Sequence, residues 1–239
     1  MSDGRDIWVY LSASPLLHLT LTLVAYQAGQ RLHALSGRNP LVNPVLVAVA
    51  ALVALLLATG TPHATYFEGA QFVHFLLGPA TVALAIPLHR QIERVRRSAP
   101  ALAASLLLGS AAAAGSAVAI ASALGAGRET LIALAPKSVT APVAMALAEG
   151  LGGLPSLAAV LVILTGVTGA MLGPPLLDLL RVRDERARGL ALGVASHGIG
   201  TARALERSEV AGAFAGLAMG LNALATALLL PLLWRLVAG

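Results

Sequence analysis

The sequence predicts an all-α polytopic membrane protein whose helices are broken by proline and glycine. Three observations carry that reading. The chain is 57% hydrophobic and only 11% charged, with a mean hydropathy of +0.82, whereas soluble domains carry about 25% charged residues. Apolar runs long enough to cross a bilayer, roughly 17–25 residues each, recur from end to end. Several of these runs contain prolines and glycines, which weaken or interrupt the helical ladder. The two-residue alternation required of a membrane β-barrel strand is missing.

The first span covers about residues 8–30 and the second about 42–60, joined by a polar stretch that includes Arg31 and Arg38. The third runs from about 66 to 88 and contains Gly78, Pro79 and Pro87. A basic loop follows at 89–97, then a fourth span at about 100–124. Residues 130–149 are apolar but hold Pro136, Lys137 and Pro142. A further full span covers about 154–180, with a small-residue packing surface from Gly166 and a candidate second break at Pro174 and Pro175. The second dense basic loop is 181–188, the glycine-rich stretch is 189–205, and the last span is 209–236. Residues 1–7, polar with mixed charge, do not read as a signal peptide, and 1–239 reads as a single transmembrane domain.

The formal charge of +5 is a topology signal, not a nucleic-acid signal, because the arginines are dispersed among loops and aromatic residues make up only 4%. The positive-inside rule puts 31–38, 89–97 and 181–188 in the cytoplasm, with the N-terminus outside. Counting onward produces a conflict. If 100–124, 130–149 and 154–180 each cross once, the loop at 181–188 falls on the wrong side. A re-entrant or broken segment at 130–149 restores the parity. Irregular backbone at that depth is tolerated only where protein buries it or a cavity is lined.

Lys137 is the only lysine, beside fifteen arginines, and it lies inside an apolar run. A lysine at the centre of a bilayer costs about 2.5–3.5 kcal/mol on insertion scales, so by default it marks function. Pro136, Ser138, Thr140 and Pro142 surround it. A half-helix starting near Pro136 would aim its amides and positive dipole end at the break. Together with Lys137 and two hydroxyls, that makes a pocket suited to a small carboxylate. The alternative is a lysine that snorkels to the interface and only sets topology.

The stretch Gly193–Arg203 holds Ser196, His197, Gly198, Gly200 and Thr201. His197 and Thr201 share a helical face, the glycines allow close approach or a break, and a neutral histidine can take up a proton near physiological pH. The alternative is a histidine bonded to a neighbouring helix. Thr81, in the segment containing Pro79, joins the candidate set through a weak internal echo. Leu77–Val82 aligns with Leu134–Val139, and paired proline-broken segments in two halves point to a carrier's binding site. Asn222, mid-span in the last helix, is a candidate contact or an interhelical hydrogen bond. No cysteine is present, and no histidine or carboxylate set stands at metal-ligand spacing. No carboxylate pair or serine nucleophile motif appears, so the chain does not read as an enzyme and no cofactor is expected.

Three segments together resemble the LrgB/CidB family: Leu76–Leu88, Ala135–Glu149 and Arg188–Glu206, with Gly212–Gly220 adding to them. The strings at 136–140 and 196–201 are the specific ones, and the likeness runs from about residue 40 to the end. His89 and Ala141 replace a tyrosine and a threonine frequent in similar proteins. The resemblance implies two functions. Bacterial members are described as holin/antiholin-like proteins that modulate murein hydrolase activity and autolysis with a small LrgA/CidA-type membrane partner. A plant relative is the plastid glycolate/glycerate translocator, and bacterial pairs are linked to pyruvate transport. The resemblance also implies an inverted-repeat carrier architecture.

The reading reached is a multi-pass carrier of the bacterial inner membrane for small 2-hydroxy or 2-oxo monocarboxylates. Pro136, Lys137, Ser138 and Thr140 would hold the carboxylate, with Ser196, His197 and Thr201 opposite and Thr81 and Asn222 nearby. Coupling through a proton on His197 or through sodium, a homo-oligomeric state and the small membrane partner complete the expectations. The alternative is a holin-like regulator of autolysis.

Overall fold

The computed structural model describes residues 14–83 and 85–238, except for the side chains of residues 77, 80, 81, 85, 237 and 238. The described residues are 84% helical, with no strand among them. Their contacts divide into two compact units, Met1–Ala83 and Leu84–Gly239.

The first unit contains α1 (Pro15–Leu35), α2 (Pro44–Thr59), α3 (His63–Phe75) and α4 (Leu77–Ala83). Pro15 and Pro44 open their helices, where a missing amide hydrogen does no harm. The Asn43 side chain caps α2 by accepting from the amides of Val45 and Leu46 at 2.9 and 3.2 Å. His33 Nδ1 lies 2.8 Å from the Val42 carbonyl and ties the turn between α1 and α2. Buried His18 meets the Tyr66 ring edge-on at 5.8 Å, and the Tyr66 hydroxyl bonds Thr22 at 2.8 Å, so α1 and α3 are joined. His18 is therefore structural. The stretch expected as one span over 66–88 is interrupted at Leu76: α3 stops at Phe75, four residues before Pro79. A proline ring collides with the carbonyl four residues earlier, so this break falls where that clash would occur.

The second unit contains α5 (Ala85–Arg90), α6 (Ile92–Ala123), α7 (Arg128–Leu134), α8 (Ala141–Gly150), α9 (Pro155–Leu179), α10 (Glu185–Arg207) and α11 (Glu209–Ala238). Helices α6, α9 and α11 are long and apolar enough to cross a membrane. The basic stretch at 89–97, read from sequence as a loop, is helical on both sides of Gln91, and Glu93 and Arg97 pair at 3.1 Å along one face. Helix α9 runs unbroken through Pro174 and Pro175. These prolines lie in its last turns, where Arg188 donates to the Pro174 carbonyl at 3.3 Å.

Two hairpins lie between these long helices. In the first, α7 leads into non-helical backbone at 135–140, and the chain returns through α8. Ile132 packs where Gly153 leaves α8, and Ala133, Ala144 and Ala148 share one core cluster with Ala158 and Val162 of α9. The half-helix begins at Ala141 with Pro142 in its first turn, and Pro136 sits in the preceding turn. The expected start near Pro136 is therefore displaced to Pro142, whose ring is tolerated there.

The second hairpin is α10. Its regular geometry fails at Ser196 (φ −133°, ψ 17°) and His197 (φ 41°, ψ −131°). A straight helix would separate Glu185 from Arg207 by about 33 Å, yet their side chains pair at 2.9 Å. Gly200 faces the Leu192 carbonyl with no room for a methyl group. The glycine-rich stretch 189–205 therefore folds back on itself. The ends of the first hairpin lie before α9 and those of the second after it. Helix α9 is about 37 Å long, so the two hairpins enter from its opposite ends.

Helices α10 and α11 pack through small residues. Gly189 and Gly193 face the carbonyls of Ala211 and Ala215, and Ala204, Ala211 and Ala215 cluster with Leu192. Backbones approach this closely only where no side chain intervenes. Gly193→Val would drive two methyls into the Ala215 backbone, which cannot swing aside. A loss of about 1–3 kcal/mol is expected for such overpacking, to be read as a lower Tm of the detergent-purified protein; an unchanged Tm would refute the packing described.

Candidate functional site

The hairpin tips meet beside the middle of α9. A cavity of about 390 Å³ lies there, lined by Lys137 and Ser138 of the first tip, Ala195 and Ser196 of the second, Leu161, Leu164, Thr165, Thr168 and Gly169 of α9, and Ala113 of α6. Lys137 is half-buried, and its Nζ lies 3.3 Å from the Ser138 Oγ. No carboxylate among the described residues pairs with it. Ser196 is fully buried, and its Oγ has no hydrogen-bond partner. That hydroxyl occupies the space a side chain at Gly169 would take. The cavity thus combines an unmatched cation with a buried hydroxyl lacking a partner.

Backbone contacts set these positions. The Asn222 side chain is buried in α11, and its amide donates to the carbonyls of Ser138 and Val194, both at 3.2 Å. Its carbonyl oxygen accepts from the Ser110 hydroxyl of α6. A helix break withdraws amide donors from nearby carbonyls, and one side chain supplies a donor to each tip. Within the first tip, the amides of Lys137 and Val139 donate to Leu134 and Pro136 at 3.1 Å. Pro136 itself is buried. Thr140 is the N-cap residue of α8, makes no side-chain cap bond and does not line the cavity.

His197 and Thr201 lie beside the cavity rather than on its wall. His197 Nε2 is 2.9 Å from the Val162 carbonyl. A carbonyl only accepts, so Nε2 carries a hydrogen and any proton exchange falls to Nδ1. The ring rests on Gly166, where an added Cβ would lie 2.6 Å from it. The Thr201 hydroxyl donates to the His197 carbonyl at 2.8 Å, bonding across the first turn after the break. A non-glycine residue at φ 41° costs on the order of 1–3 kcal/mol, and these bonds hold it. Thr81 belongs to the other unit, and its side chain lies outside the described residues.

Thr165 and Thr168 line the cavity and were not singled out in the sequence. Their signal is two hydroxyls three residues apart, flanking Gly166 in an otherwise aliphatic span. Ser110 was also passed over. A serine one helical turn from no other polar residue gives no hint of its Asn222 partner.

The family described as "LrgB-like family" matches residues 22–236. Among curated relatives, "Uncharacterized protein YwbG" of Bacillus subtilis is 37% identical over 220 residues, covering 91% of this chain and 96% of the relative. "Holin-like protein CidB" of Staphylococcus aureus (strain N315) is 33% identical over 218 residues, with 91% and 95% covered. The protein of the same name from Staphylococcus epidermidis (strain ATCC 12228) is 32% identical over 224 residues, with 94% and 96% covered. No solved structure matches the chain.

Removing the Asn222 amide leaves one carbonyl at each hairpin tip without that donor. Asn222→Ala is expected to lose about 1–3 kcal/mol of stability, measured by thermal unfolding in detergent. Ser110→Ala removes one donor and should cost about 1 kcal/mol. Equal and negligible effects would show that the tips stand without the clamp.

Proposed function

The chain belongs to the LrgB-like family, and on that premise we propose that it is a membrane carrier that binds a small organic anion between its two hairpin tips. The observation that carries this reading is Lys137. An ammonium without a carboxylate partner, held where two broken helices meet, calls for an anionic guest. Hairpins entering from opposite ends of one long helix and meeting at mid-depth are the arrangement expected of a carrier site. A cavity of about 390 Å³ has ample room for a 2-hydroxy or 2-oxo monocarboxylate such as glycolate, glycerate or pyruvate together with water. Lys137 would hold the carboxylate. The Ser138, Ser196, Thr165 and Thr168 hydroxyls stand ready for a hydroxyl or keto oxygen. His197 would couple a proton through Nδ1. We place the protein as a multi-pass component of the bacterial inner membrane, working as a homo-oligomer with a small LrgA/CidA-type partner. The role is binding and release, not catalysis.

A second reading is favoured by a different observation. The staphylococcal relatives carry the name holin-like protein, and this supports a regulator of lysis acting with that partner more directly than it supports a carrier. In that role the same two hairpins would be structural, and Lys137 would set their depth.

Proteoliposomes separate the two. Uptake of labelled glycolate or pyruvate should fall by about tenfold or more in Lys137→Ala, the loss of one hydrogen bond to a charged group. Ser196→Ala should weaken uptake while leaving Tm unchanged or raised, because a buried hydroxyl without a partner is removed. Release of an entrapped dye, without selectivity and unchanged in Lys137→Ala, would sink the carrier and favour the holin-like role.

A further inference from the structure

A second cavity, of about 370 Å³, lies where α9 ends and α10 begins and ends, away from the hairpin tips. It is lined by Asp178, Arg181, Val182, Arg183, Arg188 and Arg207. Four arginines thus face one carboxylate. Arg188 is 2% exposed, and its guanidinium reaches Asp178 at 2.7 Å and the Val182 carbonyl at 2.8 Å. Its Nε is buried with no hydrogen-bond partner. Arg207 is matched by Glu185 at 2.9 Å. Arg181 and Arg183 have no acidic partner among the described residues.

This balance leaves two guanidinium groups unmatched at the cavity, and the buried Arg188 that also lines it keeps an Nε without an acceptor. Arg181 adds a second sign. It stands at φ 56°, the left-handed position after a helix where glycine is favoured. Arginine planes bind phosphate oxygens through paired N–H donors, and two such groups suit a phosphoryl charge of one or two. Beside the cavity, Leu176, Leu179 and Leu180 are 52%, 77% and 63% exposed. Leu176 and Leu179 end the long apolar helix α9, Leu180 follows it, and the three offer an apolar surface for acyl chains. The charge distribution assigns this loop to the cytoplasmic side, where anionic headgroups meet basic clusters.

We propose that the arginine cavity at the α9–α10 junction binds a phosphoryl group, supplied by the headgroup of an anionic phospholipid. The site is independent of Lys137 and of any carrier activity. Binding there would brace the base of the second hairpin, since Arg188 and Arg207 stand near its two ends.

Thermal unfolding of the purified full-length protein in neutral detergent tests this. Added phosphatidylglycerol should raise Tm by several degrees, as any ligand of the folded state does. Phosphatidylcholine should not, and the double variant Arg181→Gln/Arg183→Gln should lose the response. Both side chains are exposed, so the variant's own Tm without lipid reports that it folds; Arg183→Gln alone is the second variant. Lipid retention in native mass spectrometry gives an independent reading. A Tm rise with inorganic phosphate alone, removed by the same substitutions, keeps the phosphoryl site and assigns the free anion as its source. An equal phosphatidylglycerol response in wild type and variants, or no response to either probe, overturns the proposal.

Discussion

The carbonyls of Ser138 and Val194 accept hydrogen bonds from a single amide, that of Asn222, and the geometry around the cavity depends on that pairing. Backbone that leaves helical geometry inside a membrane protein has no water to complete its hydrogen bonds. Each tip therefore needs a donor from elsewhere. Asn222 suits this because it is buried in a long helix that passes both tips and is held by Ser110 from a third. His197 adds the matching restraint from α9 by bonding the Val162 carbonyl. The break at Ser196 and His197 is thus held from two directions, which is what a strained φ at a non-glycine residue requires.

This division of labour explains why the polar side chains of the tips are free to face the cavity, opposite Thr165 and Thr168 of α9. The backbone at the tips is satisfied by groups that do not face the cavity, so Lys137, Ser138 and Ser196 are left to face it. Across the gap, Gly169 leaves the space that the Ser196 hydroxyl fills. A hydroxyl buried without a partner and an ammonium without a carboxylate both carry desolvation costs. The surrounding packing of Ala133, Val139, Ala144, Ala148 and Val162 offsets them.

Much of this was legible in the sequence. Composition and run length fixed the helical membrane class, and the parity of the basic loops called for an irregular segment at 130–149, which is non-helical at 135–140. Lys137, Ser138 and Ser196 were named and share one cavity. His197 and Thr201 share one turn, where the Thr201 hydroxyl bonds the His197 carbonyl, and the break at Ser196 and His197 turns the ring toward Val162. Spacing arguments assume a continuous helix, and this one folds back. Pro174 and Pro175 lie in the last turns of α9 without breaking it, and Arg188 joined the interior instead of the loop, where it reaches the Pro174 carbonyl. The burial of Arg188 rests on tertiary contacts, which no local pattern encodes.

The distance along the chain between Asn222 and the first tip has its own consequence. Ser138 lies 84 residues before the amide that bonds its carbonyl, and Val194 lies 28 before it. During synthesis both hairpins emerge before α11, and the bond from Asn222 to each tip forms only once that helix has entered. The first hairpin therefore waits through the making of α9 and all of α10. The last helix acts as the closing piece of assembly, and the cavity exists in its described form only in chains that have reached it.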